Sequence, residues 1–356
     1  MTLSELSQSK EYPEMQTIIV CPSTLRTGHS TYSKEALKLL FNGKSVSHII
    51  KGTSPDKESE ETSRNIQNIG RISLSGAQPK FSALVDKGHL RLTHKGEQGV
   101  FILKPRPVSP AIRNKDYCCA NENLTMQIAS QVYGIETASN ALCFFEADGT
   151  PAYITRRFDI HPKGKFKQED FASLMGRNSE SHGENYKYDN VSYEECADII
   201  RRYVKPALVD LRKFFKIVIY NFLILNDDAH LKNFSLIERN GEYRLAPAYD
   251  LINTNLQLYE PHIFAFEKGL FKEGMAMSDV KWINREDFEE FGRRIGLPIQ
   301  VIKNDLDFFS SFHPLAEELI QQSFLSEELK KSYLDSYRFQ IKMLSFSKQN
   351  SLIYNH

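Results

Sequence analysis

No C-x-x-C pair occurs among the five cysteines, Cys21, Cys118, Cys119, Cys143 and Cys196, and their number is odd. Neither a zinc module nor a disulfide framework is therefore expected, and the chain suits a reducing compartment. No apolar run reaches the roughly 20 residues that a bilayer-spanning helix needs. The longest, residues 214–225, is broken by Lys216 and Asn221 and reads as a buried helix. Residues 1–16 are polar and lack the apolar stretch of a secretory signal, so the expected location is the cytoplasm. An excess of one charge is missing too: 45 Lys and Arg face 45 Asp and Glu. That balance gives no coat for nucleic acid, and neither direct nucleic-acid binding nor a membrane partner is expected. What is present is 356 residues, 41% apolar and 25% charged, enough for two domains or one two-lobed unit with a sizeable core.

Residues 51–64 contain no large apolar side chain and read as a solvated linker. They set residues 1–70 apart as a short N-terminal segment, in which 32–50 predicts one short helix and a strand-like SVSHII. Residues 71–160 read as a β-rich lobe. ISLSG, FSALVD, HLRLTH and VFILK alternate between turn signals at Gly76, Lys87-Gly88 and Gly96, as in a twisted antiparallel sheet. A helix is expected over about 120–133, with Leu124, Ile128 and Val132 on one face and Gly134 as its stop. Two strands follow, ALCFFEA and PAYITRRFD, joined through Asp148-Gly149. Residues 161–356 read as a larger helical lobe, with a capping box at Ser192 and Glu195 and the 214–225 helix at its centre. The stretch 176–190, GRNSESHGENYKYDN, reads as a solvated loop or as a mobile loop on which a protein target docks, with the solvated loop preferred. The fold class is thus α+β, a smaller β-rich N-terminal lobe before a larger helical C-terminal one.

The apolar 214–225 run ends abruptly in Asn226-Asp227-Asp228-Ala229-His230-Leu231-Lys232-Asn233. So many polar groups on one turn are costly to desolvate unless they hold a metal, a phosphate or one another, although a single Asp or Asn there would be a cap. Asp250 follows at the end of another strand-like segment, LAPAYDLIN. Asp228 and Asn233 have the D-x-x-x-x-N spacing of a kinase catalytic loop, in which the Asp accepts the substrate hydroxyl proton and the Asn amide oxygen binds magnesium. Asp250 would be the second metal ligand. Mg2+ asks for no more than a carboxylate, an amide and nucleotide phosphates. Lys104, ending the β-run 100–103, can set its ammonium against those phosphates, and Glu122 on the following helix can orient it. Singly the two would read as a snorkelling lysine and a helix-dipole glutamate. As a strand-end group Lys104 is expected to be partly exposed, so that its removal costs little stability. Backbone N–H groups to cradle phosphate are expected in Ser73-Leu74-Ser75-Gly76-Ala77-Gln78-Pro79-Lys80, which matches neither G-x-G-x-x-G nor G-x-x-x-x-G-K-[ST].

With SLSGAQPK, VFILKP, NEN, RRFD, NDDAHLKNFS and APAYDL in this order, the chain resembles the HipA family of bacterial serine/threonine kinases, the toxins of toxin–antitoxin modules, over about residues 72–253. The resemblance implies a two-lobed protein-kinase-like fold and an ATP- and Mg2+-dependent serine/threonine protein kinase. It places Ser75, Gly76, Ala77, Gln78 and Lys80 in the phosphate loop, makes Lys104 and Glu122 the phosphate lysine and its acidic partner, and makes Asp228 the catalytic aspartate. Asn233 and Asp250 would hold Mg2+, and His230 would lie close to the nucleotide. Arg156, Phe158 and Asp159 match an E-R-F-D segment that lines adenine and ribose, with Arg156 where Glu is expected. Ser73 and Ser75 look like the two-serine loop that such kinases phosphorylate on themselves. The short N-terminal region is similar to the compact, HipT-like form, whose larger β-rich part is missing or supplied by a separate small protein. Implied partners are a protein substrate, an aminoacyl-tRNA synthetase or another translation component, and a cognate antitoxin that is often DNA-binding.

Two other functions use parts of the same pattern. A catalytically inactive nucleotide-binding module would have no need to keep Lys104, Asp228, Asn233 and Asp250 together. A metal-dependent phosphoesterase built on the D-x-H of Asp228 and His230 would need a further Asn-His-[Asp/Glu] triplet, which the chain lacks.

Overall fold

The computed structural model describes residues 18–55 and 78–346. Its N-terminal lobe is built on a six-stranded sheet of β1 (Ile49–Ile50), β2 (Phe81–Asp86), β3 (His89–Leu92), β4 (Phe101–Pro105), β5 (Asn140–Phe145) and β6 (Pro151–Arg156), in the order β1-β5-β6-β4-β2-β3. All pairings are antiparallel except β1 with β5. The hairpins close where turn chemistry predicts. Lys87 and Gly88 both take positive φ between the paired Asp86 and His89, a two-residue turn whose twist matches the strands it joins. At the other, Gly149 is left-handed and the Thr150 N–H donates to Asp148 Oδ1 at 2.9 Å. Gly99 answers to packing instead, since a Cβ there would stand 2.1 Å from Ser82 Oγ and 2.8 Å from the Ala83 carbonyl oxygen.

Residues 18–55 are not set apart from this lobe, contrary to the division at residue 70. The helix α1 (Lys34–Phe41) starts on the Ser33 side chain and lays Ala36, Leu40 and Phe41 against Phe101, Leu103, Ala141 and Ile154 of the sheet, while β1 adds a parallel edge to β5. A polar linker reports on its own solvation, not on whether its two flanks pack together. The ISLSG strand falls outside the described residues.

The helix α2 (Cys118–Gln131) is buried at every residue from Cys118 to Ala129. One apolar face was too narrow an expectation, because β5 and β6 cover one side and the C-terminal helices another. Most of its polar groups are satisfied internally: Asn123 and Gln127 both donate to Asn140 Oδ1 at 3.1 Å, and Thr125 pairs with the Tyr333 hydroxyl at 3.0 Å, while Asn123 Oδ1 has no partner among the described residues.

The chain then makes a small hairpin, β7 (Ile160–His161) and β8 (Gly164–Lys165), and passes through β9 (Gln168–Asp170), α3 (Phe171–Leu174), α4 (Ser179–His182), α5 (Tyr193–Tyr203) and α6 (Ala207–Leu223). The Ser192–Glu195 capping box opens α5, and Phe214, Phe215, Ile219 and Tyr220 of α6 lie fully buried in the main core. This lobe is not wholly helical. After α6 come β10 (Ser235–Arg239) and β11 (Glu242–Leu245), which with β9 form a three-stranded antiparallel sheet. The remainder is α7 (Met277–Lys281), α8 (Arg285–Arg294), α9 (Ile299–Phe309), α10 (Pro314–Gln322) and α11 (Glu327–Ser345). Among the described residues no helix is long and apolar enough to cross a membrane.

Candidate active site

The central helix α6 ends at Leu223, and Leu225 takes a left-handed φ of 52°, which turns the chain sharply into Asn226–Asn233. The polar residues of this turn mostly hold one another. Asn226 takes the Asp228 N–H on its amide oxygen at 3.3 Å and gives its own N–H2 to Asn221 Oδ1 at 3.0 Å. Asp227 faces the next loop, where it accepts the His262 N–H at 2.7 Å. The Asp228 carbonyl receives both the His230 N–H and the Asn233 Nδ2, each at 2.8 Å. That second bond fixes the amide, so that the Asn233 oxygen is the end left without a protein donor among the described residues. The Asp228 carboxylate is oriented by the buried Tyr188, whose hydroxyl donates to Oδ1 at 2.6 Å.

Lys104 points from β4 into a pair of carboxylates. Its Nζ lies 2.5 Å from Glu122 Oε1 of α2 and 2.5 Å from Asp250 Oδ1, while Lys80 reaches Asp250 Oδ2 at 3.2 Å. The expected Lys104–Glu122 pair is therefore present, with Asp250 as a third member. The expected exposure is not. The Lys104 side chain is 4% exposed, because α2 and the segment bearing Asp250 close over the strand end. Burial opposes the charge on Lys104, yet Asp250 and Glu122 outweigh it and hold the ammonium above its ordinary range. Burial also acts on Asp250, but Lys104 and Lys80 overcome it and keep this carboxylate well below the usual range. Glu122 goes the other way: burial raises it despite Lys104. Asp250 sits at a φ of 56°, a left-handed conformation that Asp tolerates better than most residues and that costs energy.

Lys80, Lys104 and Asp250 line one cleft of about 310 Å³, together with Arg156, Phe158, Asp159, Lys187, His230, Lys232 and Asn233, and Glu122 lies behind Lys104. His230 is buried and neither ring nitrogen has a hydrogen-bond partner among the described residues. Burial, reinforced by Lys187, lowers its pKa to about 3, so it is neutral at pH 7. Arg156 contributes its strand to the wall, but its guanidinium is occupied by the C-terminal carbonyls of Leu39 and Leu40 and by Asn42, at 3.3, 3.1 and 2.6 Å. An arginine can stand in the glutamate's place because α1 offers it acceptors. Asp159 pairs with Arg157 at 2.6 Å, and Phe158 packs near Tyr249 with ring centres 5.7 Å apart. Gln78 is tied to the Pro105 carbonyl at 2.7 Å. Ser73, Ser75, Gly76 and Ala77 lie outside the described residues. A second groove, of about 400 Å³, runs between α6 and the start of α9 and holds none of the candidate residues.

Two residues of this site were missed in the sequence, Lys187 and Tyr188. Both come from the stretch 176–190, which is exposed around α4 but turns inward at Tyr188. The available signal was the aromatic pair in Tyr186-Lys187-Tyr188, since a purely solvated loop has no use for two tyrosines.

The donor set suits a hard dication. One ionised carboxylate, Asp250, and one amide oxygen, Asn233, lie in the same cleft, and phosphate oxygens would complete the shell. Among the described residues no cluster of three or more His, Cys, Asp or Glu could cage a metal without such a ligand.

A family model described as the HipA-like C-terminal domain matches residues 72–311. A Haemophilus influenzae protein named "Putative kinase" is 28% identical over 353 residues, covering 94% of this chain and 98% of its own length. "Putative kinase Y4dM" of Sinorhizobium fredii is 31% identical over 202 residues, covering 52% of this chain and 46% of that protein. Among solved structures, HipA of the Shewanella oneidensis MR-1 toxin–antitoxin system, in complex with HipB and operator DNA, superposes with a TM-score of 0.58 at 20% identity, over 82% of this chain and 72% of that one. The two-lobed, kinase-like fold is shared.

Proposed function

The chain belongs to the HipA-like C-terminal domain family, and from that premise we propose that it is an ATP-dependent kinase that transfers the terminal phosphoryl group to a serine or threonine hydroxyl of a protein. The observation that carries this reading is the convergence of Lys104, Asn233 and Asp250 on one cleft from three separate segments, with Asp228 held on the same turn as Asn233. In such a reaction the hydroxyl oxygen attacks the γ-phosphorus, the bond to the β-phosphate oxygen breaks, and ADP departs with that electron pair. The Asp228 carboxylate, its rotamer set by Tyr188, takes the hydroxyl proton. Asn233 and Asp250 are the residues that would hold Mg2+, which when bound neutralises phosphate charge. Lys104, an ion-pair partner of Glu122, would donate to nucleotide phosphates.

We further propose that the protein acts as a toxin held by an antitoxin, as the fold shared with Shewanella HipA suggests. On this reading it phosphorylates a translation component and modifies its own Ser73 or Ser75. A phosphoserine there adds about −1.5 to −2 charges and would compete with ATP for the loop amides. The test is radiolabelled ATP incubated with the purified chain and a cell lysate, with intact-mass measurement of the chain itself. Asp228→Asn should lower transfer on the order of 10³-fold while nucleotide affinity changes little. Full turnover in that variant overturns the assignment of Asp228. An unmodified wild-type mass overturns self-phosphorylation.

A further inference from the structure

We propose that Lys187 is a catalytic residue that binds the γ-phosphoryl group while it passes from nucleotide to acceptor. This rests on the kinase reading of the cleft and adds to it a cation that lies outside the D-x-x-x-x-N turn. Lys187 is fixed to that turn at two points: its own carbonyl accepts the Leu231 N–H at 3.2 Å, and the next residue, Tyr188, donates to Asp228. Its side chain, half-buried, lines the cleft beside Asn233 and His230.

Besides Lys104, three lysines line the cleft, and their partners differ. Lys80 is paired with Asp250, and Lys232 with Asp170 at 2.5 Å. Lys187 makes no ion pair and no side-chain hydrogen bond with any described residue, although the charges of Asp228, Lys232 and Lys80 all act on it. Burial and the two neighbouring ammoniums push it below its ordinary range, against the pull of Asp228. A partly desolvated cation crowded by two others is an unfavourable arrangement that an anion relieves. The anion that belongs next to the base is the group in transit. As the acceptor oxygen bonds to the γ-phosphorus and the bond to the β-phosphate oxygen breaks, negative charge spreads over the three equatorial oxygens, and the proton goes to Asp228. The Lys187 ammonium keeps its protons and stabilises that charge where water is partly excluded.

The experiment compares the full chain with Lys187→Met, Lys187→Gln and Lys187→Arg. Calorimetry with MgADP and with the magnesium complex of a β,γ-imido ATP analogue is run beside the rate of label transfer from ATP to the chain itself and to water. Lys187→Met and Lys187→Gln should bind MgADP within about twofold of wild type, lose the preference for the triphosphate, and transfer phosphate about 10²–10³-fold more slowly. Lys187→Arg should recover part of the rate, since it keeps the charge. Melting temperatures should not fall, because an unpaired half-buried cation has been removed. Wild-type rates in the folded Met and Gln variants, or equal losses for diphosphate and triphosphate, overturn the assignment and leave the kinase reading intact. If wild type binds nucleotide without turning it over and only the Lys187 variants lose the triphosphate preference, the phosphate site stands and the kinase reading fails. If wild type binds neither nucleotide, both fall.

Discussion

Two carboxylates share one buried ammonium at this cleft, and the consequences are visible at single residues. Lys104→Ala would leave Glu122, 3% exposed, and Asp250 facing each other without that cation, with Lys80 only at the outer oxygen of Asp250. Removing one partner of a buried pair costs about 3–5 kcal/mol. The expected outcome is a large fall in the urea midpoint, the opposite of what an exposed strand-end lysine would give. His230 yields a pH prediction. The unfolded chain protonates this ring near its ordinary 6.5, whereas the folded protein keeps it neutral to about 3. The folded pKa is depressed, so the stability His230 contributes is fully present above 6.5 and is lost as pH falls towards about 3. Urea midpoints measured across that window should decline less steeply in His230→Gln than in wild type. Equal slopes would mean that the histidine is already charged in the folded state.

At the scale of elements, α2 is the piece that joins the two lobes, and its polar residues set the position of Asp250. Asn121 donates to the Asn253 carbonyl at 2.8 Å and accepts the Asn253 N–H at 3.2 Å, a two-point clamp three residues beyond Asp250. Both residues are fully buried. Asn121→Ala would strand that backbone N–H, while the carbonyl keeps the Leu256 N–H at 3.3 Å, at a cost of about 1–3 kcal/mol for the unsatisfied buried group. It should also loosen Asp250, so magnesium-nucleotide affinity falls together with stability. Denaturant titration and calorimetry on the same variant check the two effects. A loss of stability with unchanged affinity would show that Asp250 is positioned from elsewhere, for example by Lys104.

Over the whole molecule, the sheet lobe depends on its N-terminal segment. Phe41 of α1 packs its ring 5.4 Å from Tyr32 and 5.3 Å from Phe101, closing a small core that the sheet cannot close alone. Phe41→Ala should cost about 3–5 kcal/mol, whereas Leu39→Ala, at a position 54% exposed on the same helix, should change stability by less than about 0.5 kcal/mol. Denaturation of the two variants side by side separates the alternatives. Equal, small effects would return residues 18–55 to the status of an appendage.

What the sequence determined by itself were the local features: the period-two strands and their Lys87-Gly88 and Asp148-Gly149 turns, the Ser192–Glu195 cap, the apolar α6, and the Asp228–Asn233 spacing on the turn behind it. Each depends on residues a few positions apart, where backbone geometry alone decides who meets whom. The tertiary structure decided the rest. Lys104 and Asp250 are 146 positions apart, so neither the burial of the lysine nor its second carboxylate could be read from its place at a strand end. Tyr188 reaches Asp228 across 40 positions, and although the aromatic pair signalled that its stretch turns inward, nothing local named the partner. Arg156 and α1 meet across 114 or more, which turns an apparent misfit in the nucleotide wall into a helix cap. Composition and periodicity say what a segment would rather be near. Only the closed chain says which distant segment is there, and the charges that meet in the cleft are set by that.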